Sequence, residues 1–209
     1  TGKSRAVLEK LNFCCVKYPG MRALMVRKTR ESLTQSAMVT LEKHVLTQPS
    51  PVRLHHETQE YRYPNGSVIV VGGMDKSSKV MSTEYDVIYV QEARELSEDD
   101  WEMLSSRLRN HVMPYQQIIG DTNPDAPMHW IKQRANRGAL TLIESRHEDN
   151  PTVTPDYLET LDALTGVRHQ RLRLGLWAAA ENLIYDMWNA SVHLIDRFPI
   201  PEQWTRFRV

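Results

Sequence analysis

Cysteine, long apolar runs and an excess of either charge are scarce or missing in this sequence. Cys14 and Cys15 are its two cysteines. Neighbours on a helix point in different directions, so we expect neither a disulfide between them nor a shared metal. We interpret them as small core residues of a protein from a reducing compartment. No apolar run approaches the ~20 residues that span a bilayer, and no signal peptide opens the sequence. We therefore expect a soluble, cytoplasmic protein with no membrane partner.

The charge balance does not identify a partner. Lysine plus arginine and aspartate plus glutamate both number 26, so the formal net charge is zero. A neutral total can still include a basic channel, and a nucleic-acid partner is neither supported nor excluded. With 41% hydrophobic residues in a chain of 209 residues, we expect a real core in one large domain, or one domain with an appendage.

Strand and helix patterns alternate over the first 150 residues and predict an α/β domain with a largely parallel sheet. The predicted strands cover residues 22–28, 57–73 (a hairpin turning at Asn65-Gly66), 86–92, the start of 115–124, and 139–145. The predicted helices cover residues 5–18, 30–46, a helix starting at a capping box on Ser97, and 126–136. From about residue 150 the pattern changes to short helices at 154–164 and 166–175, which places a domain boundary there.

The sequence begins with Thr1-Gly2-Lys3-Ser4 and continues as a helix, which matches the end of a phosphate-binding loop, G-x-x-x-x-G-K-[ST]. Backbone N–H groups at a helix N-terminus face phosphates, and the helix dipole favours their charge. Lys3 would reach the β and γ phosphates of ATP, and the Ser4 hydroxyl would bind Mg²⁺. The motif's first glycine would precede Gly2 by about five positions, so a chain starting at Thr1 is expected to bind ATP poorly. A chance match is the alternative.

A second motif lies where the apolar run Val87–Val90 meets Gln91-Glu92. Sites in such folds lie at the carboxyl ends of strands, where Glu92 could orient or deprotonate the water that attacks the γ-phosphate. The residue before this glutamate is usually an aspartate that helps hold magnesium, but here it is Gln91. Asp86 cannot replace it, because it lies roughly 16 Å away along an extended strand. The alternative is a buried strand end with a cap-forming glutamate.

The amide oxygen of Gln91 can accept a hydrogen bond from Ser4 or from a metal-bound water, but it has no negative charge. Magnesium keeps several waters and relies on substrate phosphates, so one weakened contact is tolerable. We expect weaker magnesium binding rather than loss of activity.

Six segments together resemble one known family: "TGKS", "LMVRKTRESLTQS", "YDVIYVQEAREL", "IIGDTNP", "HEDNP" and "GLWAAAENLIYDMW". They look like the large terminase subunit of tailed bacteriophages, the ATP-driven motor that packages the viral genome into a procapsid. The resemblance covers nearly the whole chain, and its later motifs are more specific than the phosphate loop. It implies a P-loop NTPase fold of the additional-strand, catalytic-glutamate type.

The resemblance implies a role for each matching position. Gly2, Lys3 and Ser4 match the end of the Walker A loop, and Thr1 and Arg5 beside them are expected to join in ATP binding. In the Walker B motif, the catalytic position is Glu92, and Gln91 departs from the usual aspartate. Thr122 and Asn123 match the coupling motif, which is thought to link hydrolysis to movement of the DNA-gripping part. Arg27 falls where the family carries an arginine that faces the nucleotide; a solvated strand end is the alternative.

A basic residue inserted into the neighbouring subunit's site is also implied by the resemblance. Lys79 is the first candidate, with Arg107 and Arg109 after it, and a solvated surface charge is the alternative for each. Residues 149–151 and 175–177 mark the lid or hinge region, although helix capping and core packing would explain them equally well.

We therefore expect residues 1–150 to form the ATPase core and residues 151–209 a helical lid subdomain and linker towards the family's nuclease domain. The implied function is translocation of double-stranded DNA by ATP hydrolysis with Mg²⁺. The implied partners are the procapsid portal, the small terminase subunit and a ring of identical subunits, in the host cytoplasm and not in the mature virion. A catalytically silent nucleotide-binding scaffold, suggested by Gln91, and a helicase-like ATPase fragment are the alternatives.

Nuclease activity is not expected in this chain. Two-metal cleavage of DNA needs several carboxylates that converge on ions about 3.5–4 Å apart. The acidic residues past the boundary are instead scattered along short helices and the linker: Asp156, Glu159, Asp162, Glu181, Asp186, Asp196 and Glu202.

Overall fold

The computed structural model describes residues 2–47 and 49–179. Contacts divide the chain into two units, Thr1–Ala179 and Ala180–Val209, of which the second lies wholly outside the described residues. The boundary near residue 150 stays a prediction. Within the described ranges, no helix is both long enough and apolar enough to cross a membrane.

A six-stranded sheet forms the centre of the fold, in the order β2-β3-β4-β1-β5-β6. The strands are β1 (Arg22–Arg27), β2 (Arg53–His55), β3 (Glu60–Arg62), β4 (Val68–Gly73), β5 (Val87–Val90) and β6 (Gln117–Gly120). Strands β4, β1, β5 and β6 are parallel. Strand β3 pairs antiparallel with β4 through the predicted hairpin, and β2 pairs antiparallel with β3 at the edge of the sheet. The mixed α/β class with a mostly parallel sheet is confirmed.

Helices cover both faces of this sheet. They are α1 (Lys3–Lys17), α2 (Arg30–Thr34), α3 (Ala37–Thr40), α4 (Ser77–Met81), α5 (Glu98–Ser105), α6 (Trp130–Asn136), α7 (Pro155–Asp162) and α8 (Gly166–Arg168). Short 3₁₀ turns lie at Met74–Lys76, Ala93–Glu95 and His147–Asp149, and π turns at Leu41–Val45 and His169–Arg173.

The central strands are buried on both sides, which explains their uninterrupted apolar runs. In β1, Ala23 and Met25 pack into one core cluster with α1, while Leu24 and Val26 pack into a second cluster on the opposite face. Val87–Val90 of β5 divide between the two clusters in the same alternating way. The period-2 geometry of a strand thus places alternate residues in separate cores.

Cys14 and Cys15 are both buried and unpaired, so their interpretation as core residues is confirmed. Asp86 is also fully buried, at the amino end of β5, where it accepts hydrogen bonds from the backbone N–H groups of Arg22, Val112 and Met113. Its role in positioning backbone confirms that it cannot act at the opposite end of the strand.

Two predicted elements differ in the structure. Residues 30–46 do not form one helix, because Ser36 leaves the helical conformation (φ −128°, ψ −91°). Its hydroxyl lies 2.6 Å from the carbonyl oxygen of Ser32 and 2.7 Å from the side-chain oxygen of Gln91. The strand predicted at 139–145 is wrong. Leu140 and Leu142 do alternate with more exposed neighbours, but Ile143 is 84% exposed and no described strand pairs with the segment.

Candidate functional site

The first turn of α1 forms one wall of the candidate site. Gly2 precedes the helix in a left-handed conformation (φ 73°), and no acidic residue lies in the first turn. The first N–H groups of the helix therefore remain available to an anion. Lys3 donates a hydrogen bond from Nζ to Oδ1 of Asn123 at 3.0 Å. Burial lowers the pKa of the Lys3 ammonium, although the carboxylates of Asp121 and Glu92 act in the opposite direction.

Glu92 lies two residues after the end of β5 and has an unusual backbone conformation, φ 49° and ψ 55°. A non-glycine residue in the left-handed region is strained, and such strain concentrates at functional sites. Its Oε2 atom is buried without a hydrogen-bond partner, and the nearest cation is Arg94, with Nε 3.7 Å away. Burial and the carboxylate of Asp121 raise the pKa of Glu92, against the opposing effects of Arg94 and Arg27. A carboxylate with a free oxygen and a raised pKa suits a proton acceptor.

Gln91 points to a different partner from the one expected. Its side-chain oxygen accepts the hydrogen bond from Ser36, and the residue is only 6% exposed. Ser4 instead donates its hydroxyl proton to Oδ2 of Asp121. The expected contact between Ser4 and Gln91 is therefore corrected, because Asp121 at the end of β6 takes the place that Gln91 was expected to occupy. Contact of Gln91 with a metal-bound water stays a prediction.

Asp121 is the site residue that the sequence motifs did not single out. It lies directly after β6 and is only 6% exposed. One carboxylate oxygen bonds to Ser4, and the other accepts a hydrogen bond from the backbone N–H of Glu92 at 3.1 Å. Its neighbours come from α1 and β5, so only the parallel pairing of β5 with β6 reveals the contact.

The coupling residues follow Asp121 in the same loop. Asn123 contacts Lys3 as described, and Thr122 donates from its hydroxyl to the carbonyl oxygen of Asn123 at 3.0 Å. Further along the loop, Asp125 forms two ion pairs: its Oδ2 lies 4.0 Å from Nη1 of Arg94, and its Oδ1 lies 3.1 Å from Nη1 of Arg171. Arg171 belongs to the π turn that follows α8. The loop after β6 thus contacts the phosphate-loop residues at one end and the carboxyl-terminal helices at the other.

The two arginines expected at the nucleotide are both in ion pairs. Arg27, at the end of β1, makes two hydrogen bonds to Glu95, at 2.9 and 2.7 Å. Arg5 forms an exposed pair with Glu9, one turn further along α1, at 3.5 Å. The ion-pair partners of Arg27 and Arg5 are therefore Glu95 and Glu9. Neither glutamate belongs to the group formed by Lys3, Ser4, Glu92 and Asp121.

Lys79 lies on α4, is exposed, and has no side-chain hydrogen bond or ion pair among the described contacts. Arg107 instead donates to Ser106 and to the carbonyl of Met81, and Arg109 pairs with Glu84 at 2.8 Å. Of these three candidates, Lys79 is the one whose charged group has no partner among the described contacts.

The predicted lid segments contact both the phosphate loop and the core. A Cβ atom placed on Gly2 would lie 4.0 Å from Oδ1 of Asn150, so this asparagine borders the phosphate loop. Asp149 caps its own turn by accepting from the N–H of Arg146 at 2.7 Å. Trp177 packs on the second core cluster and lies 6.0 Å from the ring of His129. Thr1 and the stretch from residue 180 onwards, with Glu181, Asp186, Asp196 and Glu202, lie outside the described residues.

The described residues provide no group of three or more His, Cys, Asp or Glu side chains that could hold a metal ion by themselves. Magnesium is commonly held by one or two carboxylates together with substrate phosphates and waters. Ser4 and Asp121 match that smaller set of oxygen donors, so the residues fit a magnesium–nucleotide complex.

Comparison with known proteins gives a consistent picture. A sequence model of the family described as phage terminase large subunit matches residues 1–166. No curated protein matches the chain. The large terminase of a thermophilic bacteriophage superimposes with a TM-score of 0.72 at 18% identity, over 93% of this chain and 50% of that one. The complex of the same terminase with ADP gives 0.71 at 21% identity, with the same coverage.

The Thermus phage P74-26 large terminase ATPase domain superimposes with a TM-score of 0.55 at 14% identity, over 85% of this chain and 84% of that one. The chain thus spans about half the length of the first terminase and most of the isolated P74-26 domain. These similarities identify the fold as that of a P-loop NTPase.

Proposed function

Because this chain belongs to the phage terminase large subunit family, we propose that it hydrolyses ATP to translocate double-stranded DNA into a procapsid. The observation that carries the proposal is the convergence of Lys3, Ser4, Glu92 and the loop after β6 at one end of the sheet. This is the carboxyl end of the parallel strands, where ligands bind in open α/β sheets.

In the proposed reaction, a water attacks the γ-phosphorus, the bond to the β–γ bridging oxygen breaks, and ADP leaves. Glu92 orients this water and accepts its proton through Oε2, which has no hydrogen-bond partner among the described residues. Lys3 and the N–H groups at the start of α1 hold the phosphates, which fixes the geometry of attack. Bound magnesium would neutralise charge on the β and γ oxygens, with the Ser4 hydroxyl among its ligands. Arg27 and Arg5 would add to nucleotide binding.

Coupling to DNA movement is supported by the same loop. Its Asn123 contacts Lys3, and its Asp125 contacts both Arg94, beside Glu92, and Arg171 in the π turn that follows α8. A change at the γ-phosphate that moves Lys3 or Glu92 would therefore act directly on this loop. We assign Thr122 and Asn123 to the coupling step on this basis.

Partners and limits of the activity belong to the proposal as well. We propose that the chain acts in a ring of identical subunits, with the procapsid portal and the small terminase subunit, in the host cytoplasm. We also propose that residues 1–150 form the motor core, that residues 151–209 form the lid and linker, and that this chain does not cut DNA.

Steady-state ATP turnover with and without double-stranded DNA tests the proposal. A DNA-stimulated ATPase supports it. Absence of turnover in either condition supports the catalytically silent scaffold that the neutral Gln91 allows. Equal stimulation by single-stranded DNA supports the helicase-like alternative. The variant Asn123→Ala provides an internal control, because it should retain ATP hydrolysis while losing its stimulation by DNA.

A further inference from the structure

Asp121 is a buried carboxylate at the centre of the candidate site, and the family motifs give it no role. We propose that Asp121 supplies from β6 the negative charge that Gln91 lacks on β5, and that it positions Ser4 and the magnesium ion of the bound nucleotide. This assignment rests on the ATPase function proposed above and names a residue for the metal side of that site.

The position of Asp121 is fixed by its backbone as well as its side chain. Its N–H donates to the carbonyl of Val90 at 3.1 Å, and its own carbonyl accepts from the N–H of Ala93 at 2.8 Å. The side chain adds the contacts to Ser4 and to the N–H of Glu92. A residue held by four hydrogen bonds is preorganised, so little conformational entropy is lost when a ligand arrives.

The direction of the Ser4 hydrogen bond matters for metal binding. A serine hydroxyl has one proton and two lone pairs, and here the proton is donated to Asp121. The lone pairs of the oxygen can then face a cation, beside the neighbouring hydroxyl of Tyr89. Magnesium prefers hard oxygen ligands in octahedral geometry, and it tolerates water between itself and a nearby carboxylate. Asp121 therefore serves as the acceptor that keeps the Ser4 oxygen turned towards the metal.

Gln91 is poorly placed for the same task. Its oxygen is occupied by Ser36, at 2.7 Å, and an amide has no net charge to balance a divalent ion. Glu92 is the other carboxylate in contact with this group, and its free oxygen is needed for water. That leaves Asp121 as the carboxylate bonded to Ser4.

The local charges are also arranged for a cation. Asp121 and Glu92 place two carboxylates at the same end of the sheet, where the side chain of Asp121 accepts a hydrogen bond from the N–H of Glu92. Lys3 is the ammonium group that both carboxylates influence. An added divalent cation would balance the negative charge of the two carboxylates.

The test measures binding of Mn²⁺, a paramagnetic substitute for Mg²⁺, by electron paramagnetic resonance in the presence of saturating ADP. Asp121→Asn keeps the size and an acceptor oxygen but removes the charge. We expect it to weaken Mn²⁺ binding about tenfold or more, while ADP binding in EDTA stays at the parent level and confirms a folded site. Adding Gln91→Asp to Asp121→Asn should recover part of the affinity for Mn²⁺.

Asp156→Asn is the matched control, because Asp156 is exposed in the first turn of α7, and Mn²⁺ binding should be unchanged. If Asp121→Asn proves unstable, Asp121→Glu keeps the charge and should bind Mn²⁺ within about threefold of the parent. Parental Mn²⁺ affinity in Asp121→Asn, or an equally weak Asp121→Glu, overturns the assignment. So does a parent protein that binds no Mn²⁺ with ADP.

ATP turnover of the parent separates this assignment from the proposed function. A parent that hydrolyses ATP while Asp121→Asn keeps full Mn²⁺ affinity contradicts the role of Asp121 alone. A parent that binds Mn²⁺ through Asp121 without hydrolysing ATP supports the metal role and contradicts the ATPase.

Discussion

Gln91 and Glu92 are adjacent in sequence but have opposite environments. The side-chain oxygen of Gln91 lies against the hydroxyl of Ser36, whereas Oε2 of Glu92 is buried, has no hydrogen-bond partner among the described residues and lies 3.7 Å from Nε of Arg94. This difference separates a residue that positions structure from one that can receive a proton. It also predicts that similar substitutions at the two positions have different effects on activity.

Glu92→Gln should lower kcat by about 10²–10⁴-fold, because the amide cannot accept the proton of the attacking water. ADP affinity should remain near that of the parent. Gln91→Asp should stay active, because the neighbouring base is intact. Steady-state turnover and calorimetric titration with ADP measure these effects, and equal losses of turnover in the two variants would contradict the assigned roles.

The raised pKa of Glu92 predicts the acid limb of the profile of kcat/KM against pH. A base works only when ionised, so kcat/KM should fall as the pH drops through the raised pKa, above the ordinary value for a glutamate. Arg94 opposes the shift, and Arg94→Gln should therefore move this limb to higher pH. The charge of Asp121 raises the pKa of Glu92, so Asp121→Asn should lower this pKa and move the acid limb to lower pH. The idea fails if both variants shift the limb in the same direction.

Among the secondary-structure elements, the ends of β1 and of the 3₁₀ turn Ala93–Glu95 are joined by the ion pair of Arg27 and Glu95. Each residue stabilises the charged form of the other: the pKa of Arg27 is raised and that of Glu95 is lowered, chiefly by their hydrogen bond. The side chains are 20% and 34% exposed, so the pair should stabilise the fold by no more than about 1 kcal/mol. Its main effect is to occupy Arg27.

If Arg27 contacts the nucleotide, Glu95 competes for it. Glu95→Gln should then tighten ATP binding a few-fold, and Arg27→Ala should weaken it about tenfold, which corresponds to one charge-assisted hydrogen bond. Glu60→Gln is the control, because it breaks a similar pair with Arg62, and a longer one with Arg22, on the antiparallel side of the sheet. Binding measured by titration calorimetry should be unchanged in that control. Unaltered affinity in Arg27→Ala would remove Arg27 from the site.

The elements that the sequence predicts correctly are determined by local patterns, whereas the others depend on contacts between residues distant in sequence. The runs Ala23–Val26 and Val87–Val90 predicted the central strands, because burial on both faces leaves a continuous apolar signature. At the break, Ser36 contacts Gln91, which is 55 positions away, and no local pattern contains that contact. Leu140 and Leu142 show strand-like alternation, but a strand also requires a neighbouring strand. Asp121 was missed for a related reason, since its contacts with Ser4 and Glu92 arise only when β6 lies beside β5.

If the chain acts in the proposed ring of identical subunits, the exposed Lys79 is the candidate to enter a neighbouring subunit's site. A basic group from a neighbour would stabilise charge on the transferring phosphoryl group. Turnover per subunit should therefore rise with protein concentration, and a mixture of Lys79→Ala and Glu92→Gln chains should recover activity that neither has alone. In the mixture, one chain supplies Glu92 and the other supplies Lys79.

Arg109→Ala is the control for that mixture, because Arg109 is already paired with Glu84. It should match the parent in turnover. A specific activity that stays flat over about a hundredfold range of concentration would show that each subunit works alone.

The left-handed backbone of Glu92 has a consequence for how this protein can evolve. Glycine adopts φ 49° and ψ 55° without steric strain, so Glu92→Gly should raise the free energy of unfolding by about 1 kcal/mol while abolishing hydrolysis. Denaturant unfolding of the two proteins would measure the difference. Laboratory selection for heat resistance alone should then enrich glycine or asparagine at position 92, whereas selection for the proposed ATP hydrolysis should restore glutamate. The residue found at position 92 would then show whether a lineage was selected for stability or for activity.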